Sequence, residues 1–282
     1  MAINFEKVGK TTGPFRHPYT ENDMILYALG VGAGQNELEY VYEKGLKIIP
    51  CFGAVLVNDP ELIATSWDCG FNSAGALQWG FDLHIMAPFK PNGTFVSYSN
   101  LRHIYDRGPK KGALTDVEVS TYDEDGKLLC VNEAAELAGL DGGFGGEAPT
   151  VAKVEFPDRA PDYSVEAHIA ENQALIYRLT GDTFQLHVDP EFYKPLGYDR
   201  PVLHGMCTAG FACRAVISTF VPHEPERLTR FKLRFTNLVF PGDDIRTDLW
   251  VMDDGICHFR TINTATGKAV LDFGVGEWKK SK

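Results

Sequence analysis

No stretch of this chain approaches the ~20 consecutive apolar residues that a membrane-spanning helix requires, so no helical span is expected. Basic residues are in short supply: 27 lysines and arginines face 38 aspartates and glutamates, a formal charge of −11. That deficit argues against nucleic acid or an anionic membrane surface as a partner. Cysteine is sparse as well. Cys51, Cys69, Cys130, Cys207, Cys213 and Cys257 form no Cys-x-x-Cys pair, which speaks against the common zinc and redox arrangements and for buried, unpaired thiols. The opening residues lack the basic-then-apolar layout of a secretory leader, and the final Lys279-Lys280-Ser281-Lys282 is not a Ser-Lys-Leu peroxisomal address. A cytoplasmic protein is expected. Neither HExxH nor GxSxG occurs, so the usual local signatures of zinc proteases and serine hydrolases are missing.

What remains is an ordinary globular composition, 44% hydrophobic and 23% charged over 282 residues, enough for one large unit or two of about 150 residues. The proline- and charge-rich stretch 156–163 reads as a linker. It divides the chain into residues 1–155 and 156–282. In the second half, apolar side chains at Ala209, Ala212, Cys213, Val216, Ile217 and Phe220 follow the 3.6-residue period of a buried helix over 206–220. Alternating segments at 230–239, 245–252, 256–264 and 269–278, separated by Gly and Asp turns, then predict an antiparallel meander. The first half repeats this order weakly. An apolar run at 51–57 is interrupted by Asn58-Asp59-Pro60, which predicts a short or broken helix. Strands are expected at 94–105, 113–122 and 127–137. Helix followed by antiparallel strands, twice, is an α+β pattern in which a sheet wraps a central helix in each half.

Two stretches carry residues suited to chemistry. Asp182 and His187 stand five apart around a turn, close enough to hold one water and exchange protons with it, although such a spacing also occurs in purely structural settings. His204-Gly205 marks the start of the long helix, where N–H groups lack intrahelical acceptors. Gly205 there is either an oxyanion donor or an ordinary first helical residue, and His204 either faces a ligand or packs in the core. Between residues 142 and 146, Gly142-Gly143-Phe144-Gly145-Gly146 is either a cradle of backbone amides for phosphate groups or a flexible loop.

Taken together these segments resemble the type 2 enoyl-CoA hydratases, the MaoC-like dehydratases of double hotdog fold. The family signature Tyr-x-Leu-Ser/Thr-Gly-Asp-x-Asn-Pro-Leu-His-Ile/Val-Asp-Pro reads YRLTGDTFQLHVDP from Tyr177, and GYDRPVLHGMCTAG follows from Gly197. The resemblance extends to residues 23–33, 40–43, 142–146 and 234–242. It implies a double hotdog with a non-catalytic first half that accommodates the acyl chain and a catalytic second half. It also implies Asp182 and His187 as the acid–base pair, a Gly205 N–H on the thioester carbonyl, and Phe184, His204 and the glycine loop near the substrate. The bound molecule would be an acyl-CoA, with no metal or other cofactor, and the chain would pair as a homodimer. Two departures stand out. Phe184-Gln185 replaces the family Asn-Pro, and Gln78-Trp79-Gly80-Phe81 replaces a His-Gly-Glu-Gln stretch. These changes point to a reshaped acyl pocket or, alternatively, to a non-catalytic acyl-CoA-binding subunit.

Overall fold

The computed structural model describes residues 3–55, 60–63, 69–72, 75–150 and 154–280. Its strands are β1 (Thr11–Tyr19), β2 (Ala76–Ile85), β3 (Gly93–Asp106), β4 (Ala113–Tyr122), β5 (Leu128–Ala138), β6 (Tyr163–His168), β7 (Leu228–Phe235), β8 (Asp244–Asp253), β9 (Ile256–Asn263) and β10 (Ala269–Trp278). The helices are α1 (Glu21–Gly30), α2 (Leu38–Val41), α3 (Phe52–Val55), α4 (Pro60–Leu62), α5 (Gln173–Tyr177), α6 (Pro190–Tyr193) and α7 (Gly205–Phe220). The strands form one sheet in the order β1-β3-β4-β5-β2-β7-β10-β9-β8-β6. The double hotdog is therefore built on a continuous sheet rather than on two separate ones. β1 to β5 and β6 to β10 supply its two halves, and they meet where β2 pairs antiparallel with β7.

The alternation that marks these strands in sequence survives in three dimensions. β4 and β9 bury every second residue, as expected for strands with one face on a core. At the seam, Gly80 sits opposite Arg234. A Cβ there would lie 2.6 Å from the Leu233 carbonyl oxygen, so glycine is what permits the close approach. Beside it the Asp82 carboxylate accepts from Arg230 Nε and Nη2 at 2.8 and 2.7 Å, with Lys232 Nζ at 3.3 Å. Burial raises the Asp82 pKa, but the Arg230 hydrogen bonds and the neighbouring cations more than offset this and lower it below 3.8.

α7 is buried along most of its length, from Met206 to Ile217, rather than along a single stripe. Its second covered face packs against the first half. A Cβ on Gly210 would fall 2.2 Å from Val31 Cγ1. Side chains of the second half also meet the last carbonyls of α1 and of its cap residue: Gln173 Nε2 donates to Leu29 and Gly30, Cys207 Sγ to Gly30, and Arg214 Nη1 to Val31. In the first half, α3 is described over the four residues Phe52–Val55. The interruption expected at Asn58-Asp59-Pro60 falls mainly on 56–59, outside the described residues. The 156–163 linker lies against β8, where Trp250 Nε1 donates to the Arg159 carbonyl and Val251 N to Asp162.

The ion cluster at the seam has a measurable weight. Asp82→Asn should lower unfolding free energy by about 2 kcal/mol in urea titrations, less than the full cost of orphaning a buried ion because Arg230 keeps Glu277. The contribution of a carboxylate with a lowered pKa is present above its unfolded value and lost as it protonates. The gap between wild type and variant should therefore close as pH falls below 3.8.

Candidate active site

The Asp182 segment is shaped by a short sequence of turns. α5 runs into a 3-10 turn at Arg178–Thr180, and Gly181 then adopts φ 131°, a conformation open to glycine and costly for other residues. Phe184 N donates to Asp182 Oδ1 at 3.2 Å, an Asx turn that feeds a 3-10 turn over Gln185–His187. This places the His187 ring in a buried position. His187 Nδ1 lies 2.7 Å from the Val202 carbonyl oxygen. A carbonyl only accepts, so Nδ1 carries the proton and Nε2 keeps its lone pair.

His204 is fixed in the opposite tautomer. Its Nε2 donates to the Asp182 main-chain carbonyl at 3.1 Å, leaving Nδ1 buried without a partner. The His187 and His204 rings stack with centroids 3.6 Å apart and planes 24° apart. Burial lowers the His187 pKa, against the opposing pull of Asp182 and the Val202 carbonyl. For His204, burial and the neighbouring His187 ring push the pKa down to about 2. Both imidazoles are thus neutral near pH 7.

Asp182, Phe184, His187 and Gly205 line one cavity of about 260 Å³, closed on its other side by residues of the first half, among them Leu77, Gln78 and Glu136. Gly205 opens α7, so its N–H has no intrahelical acceptor. A side chain at this position would press on the Phe235 ring, 3.1 Å from a Cβ. The arrangement offers a neutral base, a carboxylate and a hydrogen-bond donor around a mostly apolar volume. Ligand atoms of Asp182, His187 and His204 also lie within 4.8 Å of one another, a spacing a metal could use. The stacked rings argue against it, because lone pairs in nearly parallel planes do not converge on one ion.

Four of the residues expected from sequence therefore meet at the cavity: Asp182, His187, Gly205 and Phe184. His204 is 1% exposed and supports the His187 ring from behind. Phe184 stays 39% exposed, with its ring edge-on to His187 and Phe192, so it is not packed beneath the helix. Gly142-Gly143-Phe144-Gly145-Gly146 does not join the site. The Gly143 and Gly145 amides donate to Asp106 at 2.8 and 2.6 Å, and Phe144 packs on Phe5. The loop already holds an anion of its own, and those hydrogen bonds bring the Asp106 pKa down to about 2. Trp79 is also displaced from the expected place beside the acyl chain. Its ring is clamped between Arg107 and Arg234, each 4.3 Å from the centroid, in a separate groove. The β2–β5 register shifts between Gln78 and Gly80, where the lining passes from Leu77 and Gln78 on the cavity to Trp79 in the other groove.

Glu136 was not among the residues singled out from sequence. It sits on β5 in line with Cys130, Asn132, Ala134 and Ala138, all buried. A carboxylate on the inward face of a strand was the available signal. Burial, with the nearby Asp182 charge, raises its pKa to about 7.

Comparison with known proteins places these elements in context. The MaoC like domain matches residues 153–272, and the MFE-2 hydratase 2 N-terminal domain matches residues 17–138. The chain is 34% identical to a probable enoyl-CoA hydratase 2 of Dictyostelium discoideum, over 98% of this chain and 96% of that protein. It is also 34% identical to the 3-hydroxyacyl-thioester dehydratase Y of Mycobacterium tuberculosis, over 99% of each. The crystal structure of a MaoC-like dehydratase from Phytophthora capsici superposes with a TM-score of 0.89 at 27% identity, over 99% of each chain.

The two tautomers can be read directly. Nitrogen-detected NMR should show His187 protonated at Nδ1, and His204 at Nε2, from pH 8 down to about 6.5. His187 should take its second proton only below that value, and His204 far lower. Because the unfolded chain binds those protons near 6.5 and the folded one does not, stability should fall as pH drops. An Nε2-protonated His187 would contradict the geometry.

Proposed function

Because the chain belongs to the MaoC-like dehydratase and hydratase 2 family of double hotdog proteins, we propose that it adds water reversibly across trans-2-enoyl-CoA thioesters to give (3R)-hydroxyacyl-CoA. The observation that carries this reading is the His187 Nε2 lone pair sharing a cavity with Asp182 and the Gly205 N–H at the start of α7. Asp182 and His187 hold the water. As its oxygen bonds to carbon 3, one of its protons passes to the pair, with His187 Nε2 as the accepting atom. The electrons of the double bond move toward the thioester oxygen, where the Gly205 N–H and the amino end of α7 stabilise the developing charge. One such donor contributes roughly 3 kcal/mol to barrier lowering. The pair then returns a proton to carbon 2, completing the addition, and dehydration retraces the same path.

His204 acts through His187. Its ring supports the base by stacking, and its Nε2–H pins the Asp182 backbone. The exposed Phe184 ring at the cavity wall is compatible with a reshaped substrate pocket, and the retained Asp182, His187 and Gly205 favour an enzyme over a purely binding subunit. The reaction proposed uses no metal and no cofactor besides the thioester.

Among the described residues, no helix is long and apolar enough to cross a membrane. The reading extends to a cytoplasmic homodimer, supported by the cysteine pattern and the family resemblance. Light scattering at twice the 31.2 kDa chain mass and recovery in the cytosolic fraction would test it.

Asp182→Asn and His187→Ala should each lower kcat for enoyl-CoA hydration by at least ~100-fold while melting stays cooperative. Wild-type turnover should survive treatment with EDTA and yield the 3R product. A 3S product, loss of activity on chelation, or either variant retaining most of its rate would overturn the mechanism.

A further inference from the structure

The cavity wall opposite Asp182 and His187 contains a feature that the hydration chemistry does not use. Glu136 of β5 and Gln78 of β2 are direct cross-strand partners, and both side chains line the cavity. Much of the surrounding lining is apolar, including Leu77, Leu203, Phe235 and Val270. Among the described residues, the Glu136 carboxyl makes no hydrogen bond or ion pair; only its backbone carbonyl is engaged, by Thr115. Burial and Asp182 raise its pKa to about 7, so an acid faces the cavity without a side-chain partner among the described residues.

A plain hydrocarbon chain filling the cavity would take the Glu136 carboxyl out of contact with solvent and offer it no polar partner, which is unfavourable for such a group. A wall selected for unsubstituted fatty chains would be apolar here. We propose that Glu136, with Gln78 beside it, is a specificity determinant that recognises a hydroxyl group on the substrate's acyl chain, so that the preferred substrate is a hydroxylated enoyl thioester. This inference rests on the hydratase reading of the same cavity.

A hydroxyl suits the pair better than a cation. It donates to a carboxylate and accepts from a carboxylic acid or a carboxamide, so it is satisfied whichever form Glu136 takes. An ammonium group would be drawn to Asp182 as well, and would compete with the water held there. Sites built around a substrate hydroxyl discriminate against analogues lacking it by up to 10⁴-fold or more. Glu136 keeps part of its surface open to the cavity, so a preference of roughly 10- to 100-fold is expected, below that ceiling.

The test compares trans-2-hexenoyl-CoA with analogues carrying a hydroxyl at each chain carbon beyond the double bond, and with the corresponding amino analogues. Wild type should show kcat/KM at least ~10-fold higher for one hydroxylated ester than for the plain one. Glu136→Leu should reverse that preference, and Glu136→Gln, which still hydrogen-bonds, should keep most of it. Melting curves confirm that each variant is folded. Equal treatment of all esters by wild type, preference for an amino ester, or an equal loss on every ester in Glu136→Leu would overturn the inference. Should wild type turn over none of the esters, the hydratase reading fails by itself. Calorimetric binding of the same esters then decides the matter: tighter binding of a hydroxylated ester that Glu136→Leu abolishes supports the inference, and equal binding overturns it.

Discussion

The carbonyl end of α1 is where the two halves of the chain become one structure. The last carbonyls of a helix have no partners within it, and leaving them buried and bare is costly. Here Leu29, Gly30 and the cap residue Val31 receive hydrogen bonds from Gln173, Cys207 and Arg214, all from the second half. Arg214 also pairs with Glu37, which ties the same corner to the loop after α1. α7 is thereby held against the first half along its own small-residue face, with Gly210 against Val31. The Gly205 N–H at the start of α7 takes its place from that docking, and so does the distance across the cavity to β2 and β5.

The two stacked histidines show how backbone groups can set side-chain chemistry. Each ring gives one proton to a carbonyl, and each is kept neutral mainly by burial. The outcome is one lone pair facing the cavity and one facing nothing. The orphaned Nδ1 of His204 is a small cost set against holding the Asp182 backbone and the His187 ring together.

Much of the second half was legible in sequence because its elements obey simple periods. α7 and strands β8 to β10 fall within a residue or two of their expected limits. β7 stops at Phe235, short of the expected 239, as the chain leaves the sheet toward Pro241. The first half was harder to read. β1 carries Gly13, Pro14 and Pro18, which look like a loop, yet as an edge strand it tolerates prolines. β2 was hidden by Trp79-Gly80, whose glycine serves the seam. β6 is a short edge strand with four of its six residues exposed and none buried, and it has little period to detect. At the site, local patterns located Asp182, His187 and Gly205, while the partner of the glycine loop, Asp106, lies 37 residues before Gly143. Glu136 was visible only as a breach of strand alternation. Such long-range pairings leave no local trace.

The antiparallel joint between β2 and β7 also separates two kinds of information along the gene. Asp182, His187 and Gly205 line the cavity from a short stretch between residues 182 and 205, whereas the facing wall is written far upstream, at residues 77, 78 and 136. These stretches lie far apart in the covalent chain; the shared sheet and the docking of α7 on the end of α1 bring them face to face. Descent can therefore rewrite what the cavity admits without disturbing how it reacts.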